Sequence, residues 1–146
     1  MLYREIKKLY EHFRLEHYRE LFGRIREKDG SLSATEAYSA DVIYLLGSPT
    51  VSSFADVLGI SQPNATYKIN NLVAKDYVKR TTSNQDRREC RVSVADRFYT
   101  YYNTDYPFII QGVDKMKQQY TPEEIEKFEQ MLVDLNRSLG VVGSAD

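Results

Sequence analysis

The chain is poor in the residues on which catalysis and metal binding are usually built. Its 146 residues include one cysteine, two histidines and no tryptophan. A single thiol excludes an internal disulfide framework and any cysteine-rich zinc site. His12 and His17 stand five residues apart, a spacing that does not stack them on a helix as an i, i+4 metal pair is stacked, so two bland surface or half-buried histidines are expected. The seven glycines are scattered, and none builds a phosphate-cradling loop. No elbow motif lifts a serine onto a strained turn. The expectation is therefore no enzyme, no catalytic residue, no metal and no cofactor. No apolar run is long enough to span a bilayer and no charged-then-apolar leader opens the chain, so no membrane partner and a cytoplasmic location are expected.

What is present suits one soluble domain over residues 1–146. Apolar residues make up 42% and charged residues 28%, as in ordinary globular proteins of this length. The formal net charge of −1 does not by itself announce nucleic-acid binding, but its distribution is uneven. Residues 1–49 are neutral. Residues 50–100 set eight basic against five acidic residues, a net +3, and residues 101–146 carry a net −4. A local positive excess of this kind attracts phosphate in a salt-dependent way.

The basic third has a recognisable layout. A short helix is predicted from about Val51 to Leu58. Gly59 follows where a tight turn needs a positive φ. Ser61 can cap a second helix, and Pro63 falls in its first turn. Ala55 and Ala65 are small where the two helices cross. This is a helix-turn-helix. On the second helix Ala65, Ile69, Leu72 and Val73 recur at inward spacing. Pro63, Asn64, Tyr67, Asn70 and Asn71 point away, with Gln62 and Thr66 on the flanks. Amides and hydroxyls read base edges by paired hydrogen bonds; the alternative for such a face is plain solvation. Tyr77 to Thr82 then reads as a strand, Ser83 to Arg88 as a turn-rich tip, and Glu89 to Val94 as a returning strand with Cys90, Val92 and Val94 alternating inward. A hairpin after a helix-turn-helix is a wing. An arginine at its tip reaches a narrow minor groove, and a neighbouring carboxylate holds the guanidinium in place.

Long helices flank this unit. One is predicted over residues 1 to about 28, with Leu2, Ile6, Leu9, Phe13, Tyr18, Leu21, Phe22 and Ile25 as its stripe, broken at Asp29, Gly30 and Ser31. Ser33 and Glu36 form a capping box for a helix to about Leu46, with Ala37, Ala40, Ile43 and Tyr44 or Leu45 inward. A second long helix is predicted from about Asp96, kinked at Pro107. Thr121 and Glu124 cap a last helix whose Ile125, Phe128, Leu132, Leu135 and Leu139 keep a coiled-coil-like three-four spacing. The terminal helices carry more apolar stripe than a winged domain needs, which points to a two-fold homodimer; the alternative is a last helix that completes a monomer core.

Phe54 and Ala55, Leu58 through Pro63, Leu72, Tyr77 through Arg80, and Asp86, Arg87 and Arg88 before a strand together resemble the multiple-antibiotic-resistance regulator (MarR) family of bacterial winged-helix repressors. The match is close over about residues 33–96; beyond, it rests on helix layout. Asp76 departs from the family's usual glycine, and Val94, Ala95 and Phe98 depart from its usual residues after the second strand. The resemblance implies a mostly α fold with a small β-hairpin wing. Residues 33–96 would be the DNA-binding unit, and 1–32 and 97–146 the dimerisation helices. It implies a homodimeric repressor of a pseudo-palindromic operator, relieved by a small-molecule effector. Twelve tyrosines suit an aromatic or phenolic one, with Tyr10, His17, Tyr38 and Tyr102 as candidates, but core packing is the default for a tyrosine at helical spacing and no effector site is assigned. The family's wing pattern maps onto Asp86 and Arg88. Family members that sense peroxide use a cysteine in the first helix, where this chain has none, so Cys90 reads as an inert thiol, with redox sensing as the minor alternative. The expected DNA contacts are Ser61, Gln62, Pro63, Asn64, Thr66, Tyr67, Lys68, Asn70, Lys79, Arg80, Asp86, Arg87 and Arg88. The competing function is a winged-helix protein-interaction module without specific DNA binding. Arg88→Ala should weaken duplex binding several-fold without unfolding the chain; unchanged affinity across a salt series would remove the wing from the mechanism.

Overall fold

The computed structural model describes residues 1–26, 32–82, 90–102 and 104–140. Along the chain run α1 (Leu2–Arg26), α2 (Ala34–Leu46), α3 (Val51–Leu58), α4 (Gln62–Ala74), β1 (Val78–Thr82), β2 (Cys90–Val94), α5 (Asp96–Tyr101), α6 (Pro107–Lys117) and α7 (Pro122–Ser138). The mostly α fold with a two-stranded wing is as expected. Residues 1–102 and 103–146 are two compact units. The Asp29 to Ser31 break, the side chain of Ile25, and the wing-tip residues Asp86, Arg87 and Arg88 lie outside the described residues.

Local chemistry sets most element ends in the first unit. Ser33 Oγ accepts from the Glu36 N–H at 3.3 Å, and Glu36 Oε2 accepts from the Ser33 N–H at 2.8 Å, so α2 opens on the capping box. Thr50 Oγ1 caps α3 by accepting from the Ser53 N–H at 3.1 Å. Gly59 sits at φ 65° and ψ 37°, and the Ile60 N–H returns to the Ala55 carbonyl at 3.1 Å, closing α3 as a left-handed cap closes a helix. Asp76 adopts φ 66°, the left-handed conformation that Asp tolerates better than most residues. β1 and β2 pair antiparallel from Val78 opposite Val94 to Thr82 opposite Cys90. The α2–α3 connection joins the sheet: Thr50 bridges Arg91, and the Val92 N–H donates to the Pro49 carbonyl at 2.9 Å.

The core gathers Ala37, Ala40 and Ile43 of α2, Phe54 and Ala55 of α3, Ala65, Ile69 and Leu72 of α4, Val78 and Val92 of the wing, and Phe98 of α5, each at most 2% exposed. Phe98 stacks on Tyr44 at 5.2 Å and on Tyr102 at 4.4 Å between ring centres, spacings that favour aromatic pairs beyond their area. Tyr44, not Leu45, is therefore the inward residue at the end of α2. Val73 is a correction. It stands 36% exposed, because one residue past Leu72 the helix has turned about 100° and carries its side chain off the buried face.

The second long helix is also corrected. α5 ends at Tyr101, Tyr102 is extended at φ −105° and ψ 132°, and α6 begins at Pro107. Proline costs no hydrogen bond in a first turn, and it disfavours right-handed helical geometry in the residue before it; Tyr106 leaves that geometry for a left-handed one, at φ 45° and ψ 65°. The chain breaks here instead of kinking. Tyr102 stays buried and its hydroxyl donates to the Ala37 carbonyl.

In the second unit the Thr121–Glu124 capping box is present, with Glu124 Oε2 accepting from the Thr121 N–H at 2.9 Å. No residue of α6 or α7 is buried in the single chain, and Ile110, Val113, Phe128, Met131, Leu132 and Leu139 are exposed. In the first unit Leu2, Ile6, Leu9 and Phe22 of α1 are exposed as well, while Leu21 is buried. Phe98→Ala should cost about 3–5 kcal/mol in urea unfolding; a loss under about 1 kcal/mol would contradict its central place.

Candidate nucleic-acid interface

The geometry of α4 begins with its anchoring. With Ala65, Ile69 and Leu72 fully buried, the helix cannot rotate about its axis without exposing apolar area, worth about 25 cal/mol per Å². That constraint turns the opposite face to solvent. Gln62, Pro63, Asn64, Tyr67 and Asn70 are exposed, with Thr66 and Lys68 half-buried at its flanks. Tyr67 is 68% exposed, far more than a ring that merely packs would be. Asn71, expected outward, is half-buried. With Tyr67 and Lys68 it faces Ser33, the cap of α2, and Thr35 and Glu36 on that helix across a surface depression of about 260 Å³.

The start of α4 offers donors. Ser61 Oγ accepts from the Asn64 N–H at 3.3 Å, and the exposed hydroxyl keeps its own proton to donate. The first turn holds no acidic side chain, so the positive end of the helix dipole is not neutralised. On β1, Lys79 and Arg80 are exposed. Arg80 reaches back to α4, where its Nη2 donates to Asn70 Oδ1 at 2.5 Å, while Nη1 stands 3.9 Å from Cys90 Sγ. Cys90 itself is half-buried. The structure thus brings Ser61, Gln62, Pro63, Asn64, Tyr67, Asn70 and Arg80 onto solvent-facing parts of α4 and β1. Asp86, Arg87 and Arg88 fall outside the described residues.

Several basic groups that sequence reasoning did not single out hold this surface in place. Lys75 Nζ meets Glu36 Oε2 at 2.8 Å, tying the end of α4 to the start of α2. Arg97 Nη1 donates to the Lys75 carbonyl at 2.8 Å, and its guanidinium lies 4.8 Å from the centre of the Tyr77 ring. A cation at a helix C-terminus and over an aromatic face is stabilised twice. Arg91 Nη1 donates to the Ser48 carbonyl at 2.9 Å. These contacts join residues 22 to 43 positions apart, so no local pattern announces them.

Of the effector candidates, Tyr102 is buried, His17 and Tyr38 are partly exposed, and Tyr10 lies on the outer face of α1 beneath Arg14. His17 Nε2 is 3.5 Å from Asp41 Oδ2. Burial pushes the Asp41 carboxyl up, His17 opposes this, and Glu20 adds to it. Burial, and then the charge of Asp41, push the Tyr102 phenol up as well. Among the described residues no three His, Cys, Asp or Glu side chains gather as metal ligands, and no helix is long and apolar enough to cross a membrane.

Comparison with known proteins locates the same region. The MarR family model matches residues 41–90. The structure of Streptococcus pneumoniae FabT in complex with DNA is 24% identical, with a TM-score of 0.51, over 92% of this chain and 97% of that one. A mutant MepR from S. aureus is 16% identical, with a TM-score of 0.59, over 92% and 96%. MarR from E. coli in its apo form is 18% identical, with a TM-score of 0.50, over 88% and 94%. These likenesses establish the fold. No curated protein matches the chain.

The Glu36–Lys75 pair has a pH signature. Burial raises the Glu36 carboxyl, but Lys75 and the Ser33 N–H and hydroxyl outweigh it, and the pKa lies below its ordinary 4.5. A lowered folded value means stability that is present above pH 4.5 and lost as pH falls through the folded value. Glu36→Gln should therefore destabilise the chain by about 1 kcal/mol at about pH 7, with the difference closing in acid. A penalty that does not shrink as pH falls below 4.5 in urea titrations would contradict this.

Proposed function

We propose that this chain, a member of the MarR family of winged helix-turn-helix proteins, is a transcriptional regulator that binds a specific duplex DNA site as a homodimer. The observation that carries the reading is the orientation of α4. Its apolar side is sealed in the core, and its Asn64, Tyr67 and Asn70 stand in solvent beside the basic strand β1. A helix in the major groove needs amide and hydroxyl groups on that side, and cations flanking it for phosphate. Ser61, Lys68 and Lys79 suit phosphate contact, and Gln62, Pro63, Asn64, Thr66, Tyr67 and Asn70 suit the groove. Asp86, Arg87 and Arg88 would extend the grip to the minor groove. That FabT has been crystallised in complex with DNA supports the same use of the fold here.

The homodimer reading is supported by the unburied α6 and α7 and by the exposed stripe of α1. A second copy would cover these faces and set two α4 helices about 34 Å apart, one turn of duplex, on a pseudo-palindromic site. In this reading 33–96 is the DNA-binding unit and 1–32 and 97–146 are the dimerisation helices. Repression is relieved by a small aromatic or phenolic effector, for which the neighbourhood of His17, Tyr38 and Tyr102 offers rings and polar groups. The reading gives the protein no catalytic task and places it in the cytoplasm.

A gel shift with the DNA upstream of its own gene tests this. A complex that survives unrelated competitor DNA is expected, with affinity falling by a log–log salt slope of about −0.9 per phosphate neutralised. Asn64→Ala and Tyr67→Ala should each weaken the specific site by about tenfold or more and change the preferred bases, with little effect on non-specific affinity. Failure to shift any duplex at low salt would overturn the reading in favour of a protein-docking module. A solution mass of one chain at micromolar concentration would overturn the dimer.

A further inference from the structure

Asn70 on α4 and Arg80 on β1 are joined to each other: Arg80 Nη2 donates to Asn70 Oδ1 at 2.5 Å, and both residues are exposed. The chemistry of the pair makes this bond directional. An amide has an accepting oxygen at one end and a donating NH2 at the other, and the two ends exchange by a half-turn about the last side-chain bond. A guanidinium has donors only. The end of Asn70 that meets Arg80 must therefore be the oxygen, and the opposite orientation would press N–H against N–H.

We propose that Arg80 is a positioning residue that locks the Asn70 amide in one orientation, so that α4 presents its NH2 group to DNA at a fixed place. The inference rests on the DNA-binding reading above. An amide free to flip presents donor or acceptor at either end and reads a base pair loosely. A locked amide offers one polarity, and base pairs differ in the major groove by the order of donors and acceptors along the edge. Arg80 therefore acts on sequence preference through Asn70. Its N–H groups engaged by neither Asn70 nor the Cys90 sulfur stay available to phosphate, so one residue links backbone contact to base reading.

The fork shape of the guanidinium gives the test its discriminating power. Lysine keeps the charge but loses the planar fork that meets an amide oxygen and a second acceptor together. The experiment selects preferred sites from randomised duplexes for the wild-type chain, Asn70→Ala, Arg80→Lys, Arg80→Ala and the double variant Asn70→Ala/Arg80→Lys, and measures the salt slope of each. Positions whose preference is lost in Asn70→Ala are those Asn70 reads. At those positions Arg80→Lys should lose about tenfold of the wild-type preference while keeping the wild-type salt slope. The double variant should be no less selective there than Asn70→Ala alone. Arg80→Ala should lose the same preference and also lower the salt slope by about one. If Arg80→Lys keeps the wild-type preference at those positions, or if the two substitutions are additive there, Arg80 touches phosphate alone and the inference fails. If Asn70→Ala changes no preference although the wild type binds a defined site, it fails as well. If the wild-type chain enriches no sequence, the DNA-binding reading is what fails, and the pattern separates the two.

Discussion

The burial of Ala65, Ile69 and Leu72 against the α2–α3 core is the constraint on which the rest of the molecule depends. Three fully buried positions on one side of a thirteen-residue helix leave a single rotation in which α4 hides its apolar area. That rotation puts the amides and the Tyr67 hydroxyl into water. The same packing explains the small residues at the crossing. Ala55 and Ala65 let α3 and α4 approach, and the left-handed Gly59 between them turns the chain without a Cβ penalty. A larger residue at either alanine would push the helices apart and shift every group on the outer face.

Rotation alone does not hold α4 at its ends. Its N-terminus is closed by Ser61, which accepts one backbone N–H, and its first turn is free of acidic side chains. Its C-terminus is held by two cations with different tasks. Lys75 ties it to Glu36 on α2, and Arg97 covers the carbonyl of Lys75 while resting on Tyr77. β1 follows after the left-handed Asp76, and Arg80 on that strand reaches back to Asn70. The wing is thus tied to α4 by more than chain connection. Its other strand is tied to the α2–α3 link through the Thr50 bridge and Arg91. Rigid support of this kind lets a polar face select among sequences, because a loosely held donor spends its specificity on its own disorder.

Local signals are legible along the chain because they act over three or four residues. The Ser33 and Thr121 capping boxes, the Gly59 turn, the Pro63 first turn and the alternating Val92 and Val94 need only neighbouring positions to be read. The outward placement of Asn64, Tyr67 and Asn70 follows from helical period once Ala65, Ile69 and Leu72 face inward. What escapes depends on distant partners or on competing local rules. The spacing from Phe98 through Tyr102 and Tyr106 imitates one continuous helix. It does so because Tyr102 turns inward to Ala37 and Phe98 for tertiary reasons, while Pro107 starts a new helix. A linear reading gives Asn70 and Arg80 to DNA separately, since nothing in it says that a strand residue bends back onto the helix ten positions earlier. The wing-tip residues remain an expectation from sequence and resemblance.

The central claim is that the solvent face of α4, with β1 beside it, is the surface that meets duplex. Amide hydrogen exchange of the whole chain, free and saturated with its selected DNA site, measures this directly. The account predicts that new protection concentrates over residues 61–71 and 78–82. New protection confined to α6 and α7, with α4 and β1 exchanging as in the free chain, would contradict it.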